Sequence, residues 1–191
     1  MTSATVDFEV HPRLDSASVR ALVHPERTLW TPIELRLLTS VTAGALAAPL
    51  SEVARFVPER RWWARLALTW GVELWLLSWL PGQGTRPHDH GGAAGSFTVL
   101  TGTLSETYRY PGKQIRHAQR ATGATIGFGA GHAHEVRNRG VVPALSVHAY
   151  SPPLVPTRNY SSLHHIPDRI PPLPARPRSF AELRAQAEDE S

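Results

Sequence analysis

The segment Pro87-His88-Asp89-His90-Gly91 sets two imidazoles at positions i and i+2. On an extended strand such positions point to the same side, so the pair aims two ring nitrogens into one space. Histidine is mostly neutral at pH 7, and both rings can offer lone pairs to a metal ion without a large deprotonation cost. The chain has no cysteine. That excludes disulfides, thiolate ligands and a cysteine nucleophile, and leaves nitrogen and oxygen to hold any metal. A third nitrogen must come from another strand, and His132 and His134 in Gly131-His132-Ala133-His134-Glu135 are the two candidates. His11, His24, His117, His164 and His165 read as surface or loop residues. A second constellation is Ser146, His148 and Tyr150, at i, i+2 and i+4 of one strand face. A hydroxyl–imidazole–phenol chain can relay a proton or orient a phenol over a metal site, or simply pack and hydrogen-bond in a core.

Such residues need elements to position them. Residues 1–15 read as a flexible arm, and residues 16–60 as helices packed on the main body. Thr31-Pro32-Ile33-Glu34 has the form of a helix start, with Thr31 as N-cap, Pro32 at the first helical position and Glu34 closing a capping box. Leu38, Val41 and Ala45 follow at helical spacing, Pro49 is the expected stop, and Ser51 is the expected opening of a shorter helix ending before Pro58. Over residues 61–155 the period becomes two. Val72, Leu74 and Leu76 alternate with Glu73, Trp75 and Leu77; Phe97, Val99 and Thr101 alternate up to a turn at Gly102; Leu104, Glu106, Tyr108 and Tyr110 alternate after it. Residues 124–128, 133–138 and 144–150 are further strands. Many short strands with Gly-rich turns predict an all-β sandwich or closed barrel. Residues 156–191 are Pro-rich, which rules out a central strand or regular helix. They read as an extended strap of the same domain, ending in a short helix over Ser179–Ala187 capped by Ser179 and Glu182.

The 191 residues, 41% hydrophobic and 19% charged, suit a globular domain with a sizeable core. No apolar run reaches the roughly 18 residues needed to span a bilayer, and no membrane association is expected. The net charge of +4 comes without a basic stripe interleaved with aromatics, so nucleic-acid binding is not expected either. The start MTSATVDFEVHPRLD lacks a basic region followed by an apolar stretch, so the expected location is cytoplasmic. A monomer or weak homo-oligomer is expected.

The histidine spacings resemble the two motifs of the cupin superfamily. Gly82, His88, His90 and Gly102 match the first motif, with Gly95 where its Glu stands; Gly123, Gly131, His134 and Asn138 match the second, which lacks only its Pro. The resemblance implies a cupin barrel (a double-stranded β-helix or jelly roll) and selects His134 over His132 as the third ligand beside His88 and His90. Without the Glu, the site becomes three neutral nitrogens. Leu145-Ser-Val-His-Ala-Tyr-Ser-Pro-Pro153 resembles the type I cysteine dioxygenase family, whose Ser-x-His-x-Tyr run is followed by a cis Ser-Pro bond, and the approach Trp75-Leu-Leu-Ser-Trp79-Leu-Pro-Gly-Gln-Gly84 fits its bacterial branch. The resemblance implies a mononuclear non-haem Fe²⁺ and oxidation of a small thiol, L-cysteine, by O₂ to its sulfinic acid. It gives Tyr150, His148 and Ser146 as the catalytic relay, with Tyr150 also touching substrate. Trp63-Ala64-Arg65 falls near the family's substrate-binding arginine, so Arg65 is the first choice to clamp the carboxylate; Arg60 and Arg61 lie close enough for a small gap to shift the match. The cysteine that mammalian members crosslink to tyrosine corresponds to Gly95, so Tyr150 would be a free phenol. A 3-mercaptopropionate dioxygenase, with Gln typically in place of the Arg, is the alternative. More distant alternatives are another metal-dependent cupin enzyme and a non-enzymatic ligand-binding cupin.

Overall fold

The computed structural model describes residues 8–170 and 172–189. The helical segment comes first: α1 (Ser16–Val23), α2 (Pro32–Ala45) and α3 (Ala47–Val53). Thr31 and Glu34 form the expected capping box at the start of α2, with Glu34 Oε2 accepting from the Thr31 N–H at 2.8 Å. The buried stripe of α2 is Leu35, Leu38, Thr39, Thr42 and Ala43, whereas Val41 is exposed. The helix is rotated from the expected face, and its buried Thr39 partners sheet hydroxyls, Thr39 Oγ1 lying 2.8 Å from Ser96 Oγ and 3.0 Å from Thr98 Oγ1. Two expectations about α3 fail. Pro49 does not end α2 but sits in the first turn of α3, where a missing N–H costs nothing. Ser51 does not open that helix; its hydroxyl donates back to the Ala47 carbonyl at 2.8 Å.

Two antiparallel sheets face each other as the cupin pattern predicts. The strands are β1 (Phe8–Val10), β2 (Trp63–Thr69), β3 (Glu73–Trp79), β4 (His88–Asp89), β5 (Ala94–Thr101), β6 (Thr103–Arg109), β7 (Arg116–Ala121), β8 (Thr125–Phe128), β9 (Ala133–Arg137), β10 (Ala144–Ser151) and β11 (Arg158–Asn159). One sheet runs β1-β2-β3-β10-β5-β8 and the other β11-β4-β9-β6-β7. Phe8–Val10, assigned to a flexible arm by sequence, pairs with β2 as an edge strand. The part of that arm at residues 1–7 lies outside the described residues.

The first sheet is buried on both faces, and this shapes the site. Val147 and Ala149 of β10 pack with Leu35, Leu38, Leu74 and Leu76 beneath the helices. The opposite face carries Trp79, Phe97, Val99 and Phe128, which pack with Leu104 and Val136 of the second sheet. Each fully buried leucine contributes about 1.5–3 kcal/mol. The close approach of α2 to β8 requires Gly127, where a Cβ would collide with the Pro32 carbonyl. The strap pairs β11 with β4, then α4 (Phe180–Asp189) docks Leu183 and Ala187 on Leu68 and Leu154. Ser179 Oγ accepts from the Glu182 N–H at 3.2 Å, as a cap should. Among the described residues no single helix is long and apolar enough to cross a membrane.

Candidate metal centre

Strand β4 is only two residues long, yet it carries His88 and leads into His90. It is held from both sides. His88 stands opposite His134 of β9, and Asp89 stands opposite Arg158 of β11. The buried Asp89 carboxylate accepts from Arg158 Nε at 3.0 Å, Arg158 Nη2 at 2.9 Å, the Tyr160 hydroxyl at 2.5 Å and the Gly91 N–H at 2.8 Å. The residue between the two histidines thus pins their strand to the strap.

The structure brings His88, His90 and His134 together, with one ring nitrogen of each within 4.8 Å of the others. His88 Nδ1 donates to the Arg86 carbonyl at 2.8 Å, and His134 Nδ1 donates to Glu106 at 2.9 Å. Those bonds place the ring protons on Nδ1 and turn bare Nε2 atoms toward one another. His90 Nε2 and His134 Nε2 lie 3.2 Å apart. Burial holds all three rings below the usual histidine range: His134 falls to about 3 although its bond to Glu106 opposes the shift, and repulsion from His134 adds to the lowering at His90. Three neutral imidazoles with converging lone pairs suit a cation shared among them.

Glu106 of β6 was not singled out by sequence. Its Oε1 accepts from His134 Nδ1 and, at 3.0 Å, from His132 Nε2; its Oε2 accepts from Arg120 Nε at 3.0 Å and Nη2 at 2.8 Å. Burial alone would raise this carboxyl, but the bonds from His132 and His134 hold it below the usual carboxylate range. A carboxylate already receiving four donors is a support for His134, not a separate metal ligand. The same geometry separates the two candidate histidines, since His132 turns its Nε2 to Glu106 while His134 turns its Nε2 to His90. The signal was present in β6, where Glu106 falls in the apolar phase with Leu104, both buried.

Gly95 stands opposite Tyr150, and a Cβ there would collide with the Phe128 ring and touch the Tyr150 ring. Phe128 therefore occupies the space of the missing Glu. Its ring stacks 5.1 Å from His90 and 4.4 Å from His132, walling the three nitrogens with hydrocarbon.

The second constellation forms one connected chain. Trp79 Nε1 donates to Ser146 Oγ at 2.8 Å, Ser146 Oγ lies 2.8 Å from His148 Nε2, and His148 Nδ1 lies 3.1 Å from the Tyr150 hydroxyl. The indole can only donate. Ser146, fully buried, then has His148 Nε2 as the partner for its own proton, which places the imidazole proton on Nδ1 and directs it at the phenol oxygen. Tyr150 keeps a free O–H proton, and its ring lies 4.7 Å from that of His90. Burial, then Glu73, pushes the phenol up; burial, then repulsion from His134, holds His148 well below its ordinary value. The chain therefore runs through neutral groups at pH 7. Ser151-Pro152 is cis.

Arg65 is placed elsewhere. It stands opposite Trp75, which stands opposite His148, so the indole separates it from the relay. Its guanidinium covers the Trp75 ring at 5.5 Å and bonds Glu9 and the Ala187 carbonyl, each at 3.4 Å. The arginine in electrostatic reach of the site is Arg61, just before β2. It lies 4.8 Å from the Trp79 ring, acts on His88, His148 and Tyr150, and buries Nε and Nη1 with no partner among the described residues.

The family model for cysteine dioxygenase type I matches residues 40–163. The chain belongs to that family. Family membership places it among metal-dependent cupin enzymes, and the His88–His90–His134 donor set fits a metal cofactor. No curated protein sequence matches the chain. Among solved structures, it resembles the protein TT1209 from Thermus thermophilus at 28% identity, over 54% of this chain and 93% of that one, with a TM-score of 0.47. An uncharacterized conserved protein with a double-stranded β-helix domain from Klebsiella pneumoniae matches at 18% identity, over 58% and 92%, with a TM-score of 0.47. An oxalate oxidase in complex with glycolate matches at 21% identity, over 49% and 52%, with a TM-score of 0.43.

Proposed function

We propose that the protein is an iron-dependent thiol dioxygenase that converts L-cysteine and O₂ to cysteine sulfinic acid. One observation carries the reading: a buried proton chain ends in the Tyr150 phenol directly over His90, at the edge of a neutral three-nitrogen cluster. An isomerase or a simple binding module has no use for that chain. The reaction balances without another reductant, because the thiol sulfur loses four electrons, O₂ gains four, and both oxygen atoms end on sulfur.

His88, His90 and His134 would hold the metal. Bound iron supplies redox access to O₂ and acidifies the thiol. The chain's own residues do the rest. Arg61 offers the substrate carboxylate charge-assisted bonds from a guanidinium whose buried N–H groups otherwise lack partners. Its cation and the apolar wall of Phe128 and Phe97 favour a small amino acid over a large or neutral thiol. Tyr150, kept protonated, donates its free O–H proton toward the reacting oxygens or the carboxylate. His148 fixes the direction of that proton, and Ser146 and Trp79 fix the tautomer of His148.

Loading the purified protein with Fe²⁺ and supplying L-cysteine should consume O₂ and form cysteine sulfinate mole for mole. Parallel rates with 3-mercaptopropionate test the carboxylate-plus-amine preference. Absence of O₂ uptake with any small thiol in iron-loaded protein would sink the reading.

A further inference from the structure

The relay borders two indoles that the proposed reaction does not use. Register puts Trp75 of β3 directly opposite His148 of β10, so the two share one face of the sheet. Tyr150 lies on that face two residues along, diagonal to Trp75, and such diagonal neighbours sit about 7–8 Å apart. On its other side, Trp75 meets Trp63 of β2 edge to face, with ring centroids 5.2 Å apart. Burial falls along this line: His148 is buried, Trp75 is half-buried and Trp63 is 40% exposed. One oxidisable ring per strand, on β10, β3 and β2, thus leads from the edge of the three-nitrogen cluster to solvent. The chain has no cysteine, which leaves indole and phenol as its most readily oxidised side chains.

Charge separates this line from the other indole beside the relay. Arg61 lies 4.8 Å from the Trp79 ring and buries Nε and Nη1 without partners among the described residues. That cation opposes removal of an electron from Trp79. Arg65 lies farther from its indole, 5.5 Å from the Trp75 ring, and Glu9 at 3.4 Å offsets its charge. Trp75 is the indole from which an electron leaves at lower cost.

We infer that Tyr150, Trp75 and Trp63 form an electron-transfer line that quenches the site when O₂ is reduced there without oxidising sulfur. The dioxygenase reading supplies the oxidant, a species of the hydroxyl-radical class, one hydrogen atom short of water. Tyr150 gives it one electron together with the free O–H proton. Trp75 returns an electron to the phenoxyl oxygen, water in the site returns the proton, and Trp63 refills Trp75. The exposed Trp63 radical cation takes its electron from a thiol in solvent, which releases its proton to water and becomes a thiyl radical. The net step moves one electron and one proton from that thiol to the oxygen species.

The test supplies the oxidant from outside, so its failure leaves the dioxygenase reading untouched. Metal-free full-length protein is mixed with ruthenium tris(bipyridine) and a sacrificial electron acceptor, and a laser flash creates a one-electron oxidant that reaches exposed rings. Transient absorption should show tryptophanyl radical decaying as tyrosyl radical rises at the same rate, distinct from any tyrosyl formed at once on exposed phenols. Tyr150→Phe, Trp75→Phe and Trp63→Phe should each abolish the coupled rise, the last without disturbing a buried contact. Trp70→Phe, at the far end of β2, should leave it unchanged. No coupled rise in the parent, a rise that persists without Tyr150, Trp75 or Trp63, or its loss on Trp70→Phe would each overturn the assignment.

Discussion

Glu106 receives donors from His132, His134 and the Nε and Nη2 of Arg120, so one carboxylate sets the tautomers of two histidines. Glu106→Gln presents an amide to donors that need acceptors, and metal affinity should fall about 10–100-fold, as read by titration against a competing chelator. His88→Ala should remove stoichiometric metal altogether, measured by elemental analysis. Arg61→Gln should lower kcat/KM for L-cysteine by about 1.5–3 kcal/mol, or roughly ten- to a hundredfold, while Arg65→Gln, on the far side of Trp75, should leave it near the parent. These residues also show what sequence spacing can carry. His88 with His90, and Ser146 with His148 and Tyr150, are related by alternation within one strand, which any reader of the chain can count. Glu106 and Trp79 join the site through register between strands, which no local count contains, whereas Arg61, an alternative to Arg65 in the sequence, comes from the segment just before β2. Arg65 matched by local pattern alone; it lies two strands from the relay, with Trp75 on the strand between.

At the scale of elements, the short β4 depends on its neighbours. Arg158→Ala leaves the buried Asp89 carboxylate with two fewer donors and should cost about 1.5–3 kcal/mol, seen as a lower urea midpoint together with weaker metal binding. The α2 capping box gives a separate, pH-dependent test. A hydrogen bond from Arg27, then those from Thr31, push the Glu34 carboxyl down to about 2 from 4.5. A depressed acid stabilises the fold above its unfolded value, and that stability is lost as pH falls from 4.5 toward 2. Across that window the denaturation midpoint of the parent should fall more steeply than that of Glu34→Gln. Elements with a periodic apolar face or a local cap were legible, as α2 and β10 show. Strand β7, Arg-His-Ala-Gln-Arg-Ala, has no apolar alternation to read, because it is an exposed edge held by backbone pairing with β6. Phe8–Val10 is too short to announce itself and exists through its partner β2.

At the scale of the molecule, the barrel interior is shared between hydrophobic packing and the metal centre. A metal present at about a hundredfold excess over its Kd adds about 2.7 kcal/mol. For a chain of this size about 2–4 °C per kcal/mol follows, so stripping the metal with a chelator should lower Tm by about 5–10 °C in a thermal scan. The cupin architecture was readable because strand count, turn glycines and motif spacing agreed. The clamp on β4 also carries a consequence for the order of events during synthesis. His88, His90 and His134 leave the ribosome before Arg158 and Tyr160, which complete the bonds to Asp89. Until those later residues arrive, the segment bearing His88 and His90 is paired with β9 alone, and tight metal capture is expected only after they have emerged.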